Sequence, residues 1–189
     1  MRKVFLTLIF TCIALISTAP TIDFRIWSER YLSLDEKVKI LTAEWEFSRF
    51  IEDLGYRESL NNWLSINRIG CFGEWQFAES TLRYLGYRNI TLKKFRADPG
   101  IFPRELQMEA LTRLIKLNTA LLRNYERFIG DTIHGTVITR SGMLAAAHLG
   151  GAGSVRKFIA SEGKVNRKDV LGTSIYDYMK RFSNYDLKQ

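Results

Sequence analysis

The sequence predicts a mainly α-helical single domain with a small β element. Its 189 residues are 46% apolar and 13% aromatic, enough to build one packed core. Apolar residues recur at helical spacing in segments separated by glycines. No βαβ rhythm, no repeat of roughly 20–50 residues and no Pro/Ser-rich linker interrupts them.

Each element has its own signal. Ser33-Leu34-Asp35-Glu36 has capping-box spacing, and Leu41, Trp45, Phe47, Ile51 and Leu54 follow at helical intervals. One helix therefore runs from Asp35 to about Tyr56 or beyond. Glu74 to Leu85 reads as a second helix stopped by Gly86. Pro103 suits the start of a third and Gly130 its end. The apolar stripe between them, from Leu106 to Phe128, makes this long helix a central packing element. Thr139 or Ser141 caps a short helix through Leu149, and two more cover Val155–Ser161 and Ser174–Phe182. Asp131 to Ile138 alternates weakly and reads as a short hairpin or extended loop.

The N-terminus reads differently. Arg2 and Lys3 precede an uncharged run, Val4 to Ile16, followed by the small residues Ser17-Thr18-Ala19. That is the layout of a secretory signal peptide over residues 1–19, with the domain proper at 20–189. As a helix the run spans about 20 Å, short for a bilayer core of about 30 Å, although Pro20 is a poor residue after a cleavage site. The leader would take Cys12 with it and leave Cys71 as the one remaining cysteine, unable to pair within the chain. The expected location is the periplasm or the medium, with no transmembrane segment once the leader is gone.

The formal charge of +8 and pI of about 9.6 favour an anionic partner without choosing one. Loss of Arg2 and Lys3 leaves +6. The basic residues are scattered (Lys93-Lys94, Arg156-Lys157, Arg167-Lys168, Lys180-Arg181), with no run of five, so a nucleic-acid partner is not expected. His134 and His148 lie fourteen apart without a Cys or acidic cluster at metal spacing. No metal and no cofactor is expected.

Candidate chemistry concentrates between Tyr56 and Thr81. Glu58 falls four residues after Leu54 and seven after Ile51, on the stripe that faces the core. A carboxyl at the buried end of a helix loses hydration, which raises its pKa above the ordinary value of about 4.3 and suits it to donate a proton. The plainer alternative is a Glu that caps or pairs at a helix end. Gly70 and Gly73 permit tight turns and close approach of a ligand. Gln76, beside Trp75 and Phe77, is placed to bond a substrate amide or hydroxyl, or the loop itself. Glu74 and Glu79 read as solvent-facing, and Gln107 as part of a solvated helix face. Cys71 reads as a small apolar residue rather than a nucleophile, since no Cys/His motif accompanies it.

The order of these residues resembles the lytic transglycosylases of the lysozyme-like superfamily, which cleave bacterial peptidoglycan. The resemblance rests on Glu58-Ser59, Asn62, Gly70-x-x-Gly73, Gln76 and Thr81, in that order and spacing. Asn67 stands where the family usually has Ser, Leu60 replaces the usual Gly, and Trp75 the usual Met. A second block, Ala147-His148-Leu149-Gly150-Gly151-Ala152-Gly153-Ser154-Val155, is similar to the family's Ala-Tyr-Asn-Ala-Gly-Pro-Gly-Arg-Val. There His148 replaces Tyr and Leu149 replaces Asn, marking a divergent member.

The resemblance implies a lysozyme-like fold, Glu58 as catalytic acid, and substrate contacts from Ser59, Asn62, Asn67, Gly73, Gln76 and His148. It also implies that peptidoglycan glycan strands are the partner of a monomeric enzyme. Cleavage would fall on the β-1,4 bond between N-acetylmuramic acid and N-acetylglucosamine, with one Glu acting first as acid and then as base. A two-carboxylate muramidase on the same fold, and a catalytically inactive peptidoglycan-binding envelope protein, are the alternatives.

Overall fold

The structure, a computed structural model, describes residues 33–187. The expected leader and Cys12 lie outside the described residues. The chain divides into two units, Met1–Thr42 and Ala43–Gln189. Of the first, only the opening turns of one helix are described; every other element belongs to the second. Among the described residues the architecture is mainly helical with one two-stranded sheet.

Helix α1 spans Leu34–Ser59. Its capping box is present: the Ser33 amide donates to Glu36 Oε2 (2.9 Å) and the Glu36 amide donates to Ser33 Oγ (3.3 Å). Further along, Phe50 and Leu54 are buried, and Glu58 on the same stripe is half-buried.

The second expected helix is shorter than its pattern. Only Glu79–Tyr84 is helical (α2), and residues 73–76 form a turn instead, closed by Phe72 and Phe77. Phe72 and Phe77 exchange both backbone hydrogen bonds across this turn, at 3.0 and 2.8 Å. Gln76 takes a positive φ of 48°, which no α-helix accommodates. The groups that a helix needs are thus spent on a small β-bridge.

Helix α3, Leu92–Ala97, is capped by Thr91. At six residues it is too short to declare a period. A 3₁₀ turn at Pro99–Ile101 leads into α4, Arg104–Leu122. The long helix ends at Leu122, and Arg123–Phe128 continues as 3₁₀. The weakly alternating segment forms a hairpin, β1 (Thr132–Ile133) against β2 (Thr136–Val137), with Thr132 opposite Val137.

Helix α5, Arg140–Gly150, starts at Thr139, whose side chain accepts from the Gly142 amide. Helix α6 covers Ala152–Ala160 and α7 covers Ile175–Arg181. Centrality is shared differently from the expectation. The seven consecutive residues Ser141–Ala147 of α5 are all buried, and α5 packs on α4, α6 and α7. Its small side chains permit this. A Cβ on Gly142 would lie 2.7 Å from the Met179 carbonyl oxygen, so α5 and α7 meet backbone to backbone there. Aromatic rings fill the rest of the core, with Phe102 edge-on to both Phe72 and Phe77 at centroid separations of 6.0 and 5.9 Å.

Candidate active site

The last turn of α1 carries Glu58 and Ser59. Leu60 and Asn61 then take left-handed conformations that end the helix, and the chain folds back so that the Gly73 amide donates to the Ser65 carbonyl (2.9 Å). Three successive carbonyls of the resulting turn each accept from a side chain. Gln76 Nε2 donates to Gly73 O (2.7 Å), Ser59 Oγ to Glu74 O (2.7 Å), and His148 Nε2 to Trp75 O (2.8 Å). A carbonyl only accepts, so the His148 proton on Nε2 is fixed by this bond.

The turn is also held from α4. Gln107, fully buried, accepts from the Glu74 amide through Oε1 (2.6 Å) and donates through Nε2 to Trp63 O (2.9 Å) and Phe102 O (2.8 Å). Gly73 has a φ of 85°, and a Cβ there would stand 2.5 Å from Gln107 Oε1. Only glycine fits that approach. Two expectations are corrected here: Gln107 is no solvated residue, and Glu74 is fully buried. The Glu74 carboxylate is satisfied by a two-point ion pair with Arg104, Nε to Oε2 at 2.6 Å and Nη2 to Oε1 at 2.9 Å.

Glu58 has a partner that sequence reasoning missed. Tyr178 of α7, only 3% exposed, donates its hydroxyl to Glu58 Oε1 at 2.5 Å. Burial, reinforced by the Glu58 charge, pushes the phenol far above its ordinary range, so Tyr178 acts as a donor and not as a base. The Ser174–Asp177 capping box sets the start of α7 and hence the inward face shared by Ile175, Tyr178 and Met179. Those signals were available in the sequence; the pairing across 120 residues was not.

The other expected site residues fall into two groups. Ser59, Gly73, Gln76 and His148 gather around the 73–76 turn. Asn62 and Asn67 lie in the preceding loop and spend their side-chain oxygens on its backbone. Asn62 Oδ1 accepts from the Leu64 amide (3.0 Å), and Asn67 Oδ1 from the Ile69 and Cys71 amides (3.0 and 2.9 Å). Gln76 Oε1 and His148 Nδ1 are buried without a hydrogen-bond partner among the described residues. Burial pushes the Cys71 thiol up, and the Glu58 charge adds to that.

A cavity of about 540 Å³ opens beside the turn, lined by Thr81, Asn118, His148 and Asp169 among others. Glu58 does not line it. Tyr178 instead borders a smaller depression of about 280 Å³ with Arg57, Thr173 and Asp177. The 167–173 loop contributes to both. Among the described residues no group of three or more His, Cys, Asp or Glu is placed to hold a metal ion, and no helix is long and apolar enough to cross a membrane.

No family model, no curated protein and no solved structure matches the chain.

Proposed function

We propose that the chain is an exported, lysozyme-like peptidoglycan-cleaving enzyme that acts as a lytic transglycosylase through Glu58. The reading is carried by one observation: Glu58 stands half-buried at the end of α1 with a single oxygen tied to the buried Tyr178 hydroxyl. Because Tyr178 donates into Oε1, the proton of the neutral acid resides on Oε2.

In the proposed reaction Oε2–H protonates the glycosidic oxygen as the bond from muramic acid C1 to that oxygen breaks. The resulting carboxylate keeps the Tyr178 hydrogen bond. It then accepts the proton of the same sugar's 6-hydroxyl as O6 bonds to C1, which gives a 1,6-anhydro end and returns Glu58 to its acid form. No water and no second carboxylate enters. The bonds to the Gly73, Glu74 and Trp75 carbonyls hold the 73–76 turn in place, and the one from Ser59 ties it to the end of α1 next to Glu58.

Digestion of sacculi followed by mass spectrometry of the soluble fragments tests this reading. Anhydro ends are expected, and Glu58→Gln is expected to abolish them while leaving the circular dichroism unchanged. Reducing ends would favour the muramidase alternative. Sedimentation with sacculi and no release would favour a binding protein.

A further inference from the structure

Resting on that reading, we propose that the 540 Å³ cavity is a subsite for the carboxylated peptide carried by the glycan strand. The peptide carboxylate sits at the start of α6 near Arg167, and a peptide amide pairs with Asn118.

Asn118 makes the cavity a site rather than a gap. It projects from α4 into the lining, is 4% exposed, and its side chain makes no hydrogen bond with any described residue. Its polar atoms are not among those buried without a partner, so they face the open space of the cavity and are free to pair with an occupant. A primary amide both donates and accepts, the complement of a peptide group. His148 lines the same cavity, with Nε2 already committed to Trp75 and Nδ1 without a partner.

The charge pattern points away from a sugar face. Sugar rings and N-acetyl groups are neutral, whereas this lining carries Arg167 and Lys168. A neighbouring depression of about 430 Å³ shares Gly150 and Arg167 with the cavity and adds Lys157. Helix α6 begins between the two, at Ala152 after the N-cap Gly151, with no side-chain cap and no acidic residue in its first turn. Its N-terminal amides and dipole favour an anion there. The acidic residue on the lining, Asp169, is folded back onto its own loop, where Oδ1 accepts from the Leu171 and Thr173 amides at 2.8 Å each.

The test uses full-length Glu58→Gln protein and calorimetric titration with three soluble probes. These are a disaccharide–tetrapeptide, the same compound with its peptide carboxylates amidated, and the disaccharide with only its lactyl carboxylate. The first is expected to bind at least tenfold more tightly than the other two. Arg167→Ala, an exposed position, is expected to bring that ratio near one, and Arg167→Lys to restore part of it; Asn118→Ala is expected to weaken the amidated probe as well. Equal affinity for the peptide-bearing and peptide-free probes overturns the subsite. If wild-type protein still releases fragments from sacculi in that case, the glycan-cleaving reading stands alone. If nothing is released and no probe binds, both fall.

Discussion

The phenolic oxygen of Tyr178 lies 2.5 Å from Oε1 of Glu58, joining the end of α1 to the first turns of α7 across 120 residues. Tyr178→Phe removes that donor and keeps the ring that packs on Phe182. A hydrogen bond to a charged group contributes about 1.5–3 kcal/mol. The expected loss in kcat is therefore roughly 10- to 150-fold, with KM little changed, because Tyr178 positions Glu58 and does not reach the sugar. A kcat unchanged within a factor of two would remove Tyr178 from the machinery.

The start of α7 controls that pair. Ser174 Oγ accepts from the Asp177 amide, and Asp177 Oδ2 accepts from both the hydroxyl and the amide of Ser174. These bonds hold the Asp177 carboxyl below its usual range, with the Ser174 hydroxyl the largest cause. A depressed folded pKa gives stability that is complete above the unfolded value of about 3.9 and is lost as pH falls through the folded value. Ser174→Ala is expected to cost about 1 kcal/mol at pH 7, or roughly 2–4 °C in Tm. The gap between the melting curves of wild type and variant should narrow in acid, below pH ~4, as Asp177 takes up its proton, and keep the part owed to the lost bond from the Asp177 amide to Ser174 Oγ. A gap that widens on acidification would contradict this account.

Much of the scaffold was legible because its signals are local. The two ends of α1 follow from a cap and a period within a few residues. Local signals narrowed the start of α5 to Thr139 or Ser141 and the segment near His134 to a hairpin or an extended loop, of which the structure has Thr139 and the hairpin. The 73–76 turn was not legible. Its apolar spacing fits a helix, and what decides against one is a tertiary set of bonds from Ser59, Gln107 and His148 to its backbone. For the same reason Glu74 and Gln107 looked like surface residues. Their burial depends on Arg104 and on carbonyls 5 to 44 residues away. Of the candidate site, Glu58 and its neighbours could be read from spacing, while Tyr178 and Asn118 required the fold.

Gly73 offers a measure of how stiff the turn is. A Cβ there meets the end of Gln107, a contact a flexible side chain could relieve, but Gln107 is fully buried and holds three hydrogen bonds. Relief would break them. Adding the cost of about 1–2 kcal/mol for a left-handed non-glycine residue, Gly73→Ala is expected to destabilise by at least ~2 kcal/mol, or roughly 4–8 °C in Tm. Gln107→Gly in the same chain opens the space, so the double variant should lose less than the sum of the single losses. Strict additivity would mean that Gly73 and Gln107 are not in contact.

Cys71 reports on Glu58 from outside the reaction. Its thiol is pushed up first by burial, is pulled down by Asn67, and is raised again by the Glu58 charge. Less thiolate is present at neutral pH than on an exposed cysteine, so iodoacetamide should label native Cys71 more slowly than the unfolded chain. Cys71→Ala is expected to keep its activity, because no step uses the sulfur. Glu58→Gln removes the negative charge and should shift the labelling profile to lower pH, since a thiolate then forms without a neighbouring anion. Tyr178→Phe leaves the Glu58 charge in place, so its profile should stay close to that of the wild type. A Glu58→Gln profile identical to wild type would contradict a Glu58 charge close enough to act on the thiol.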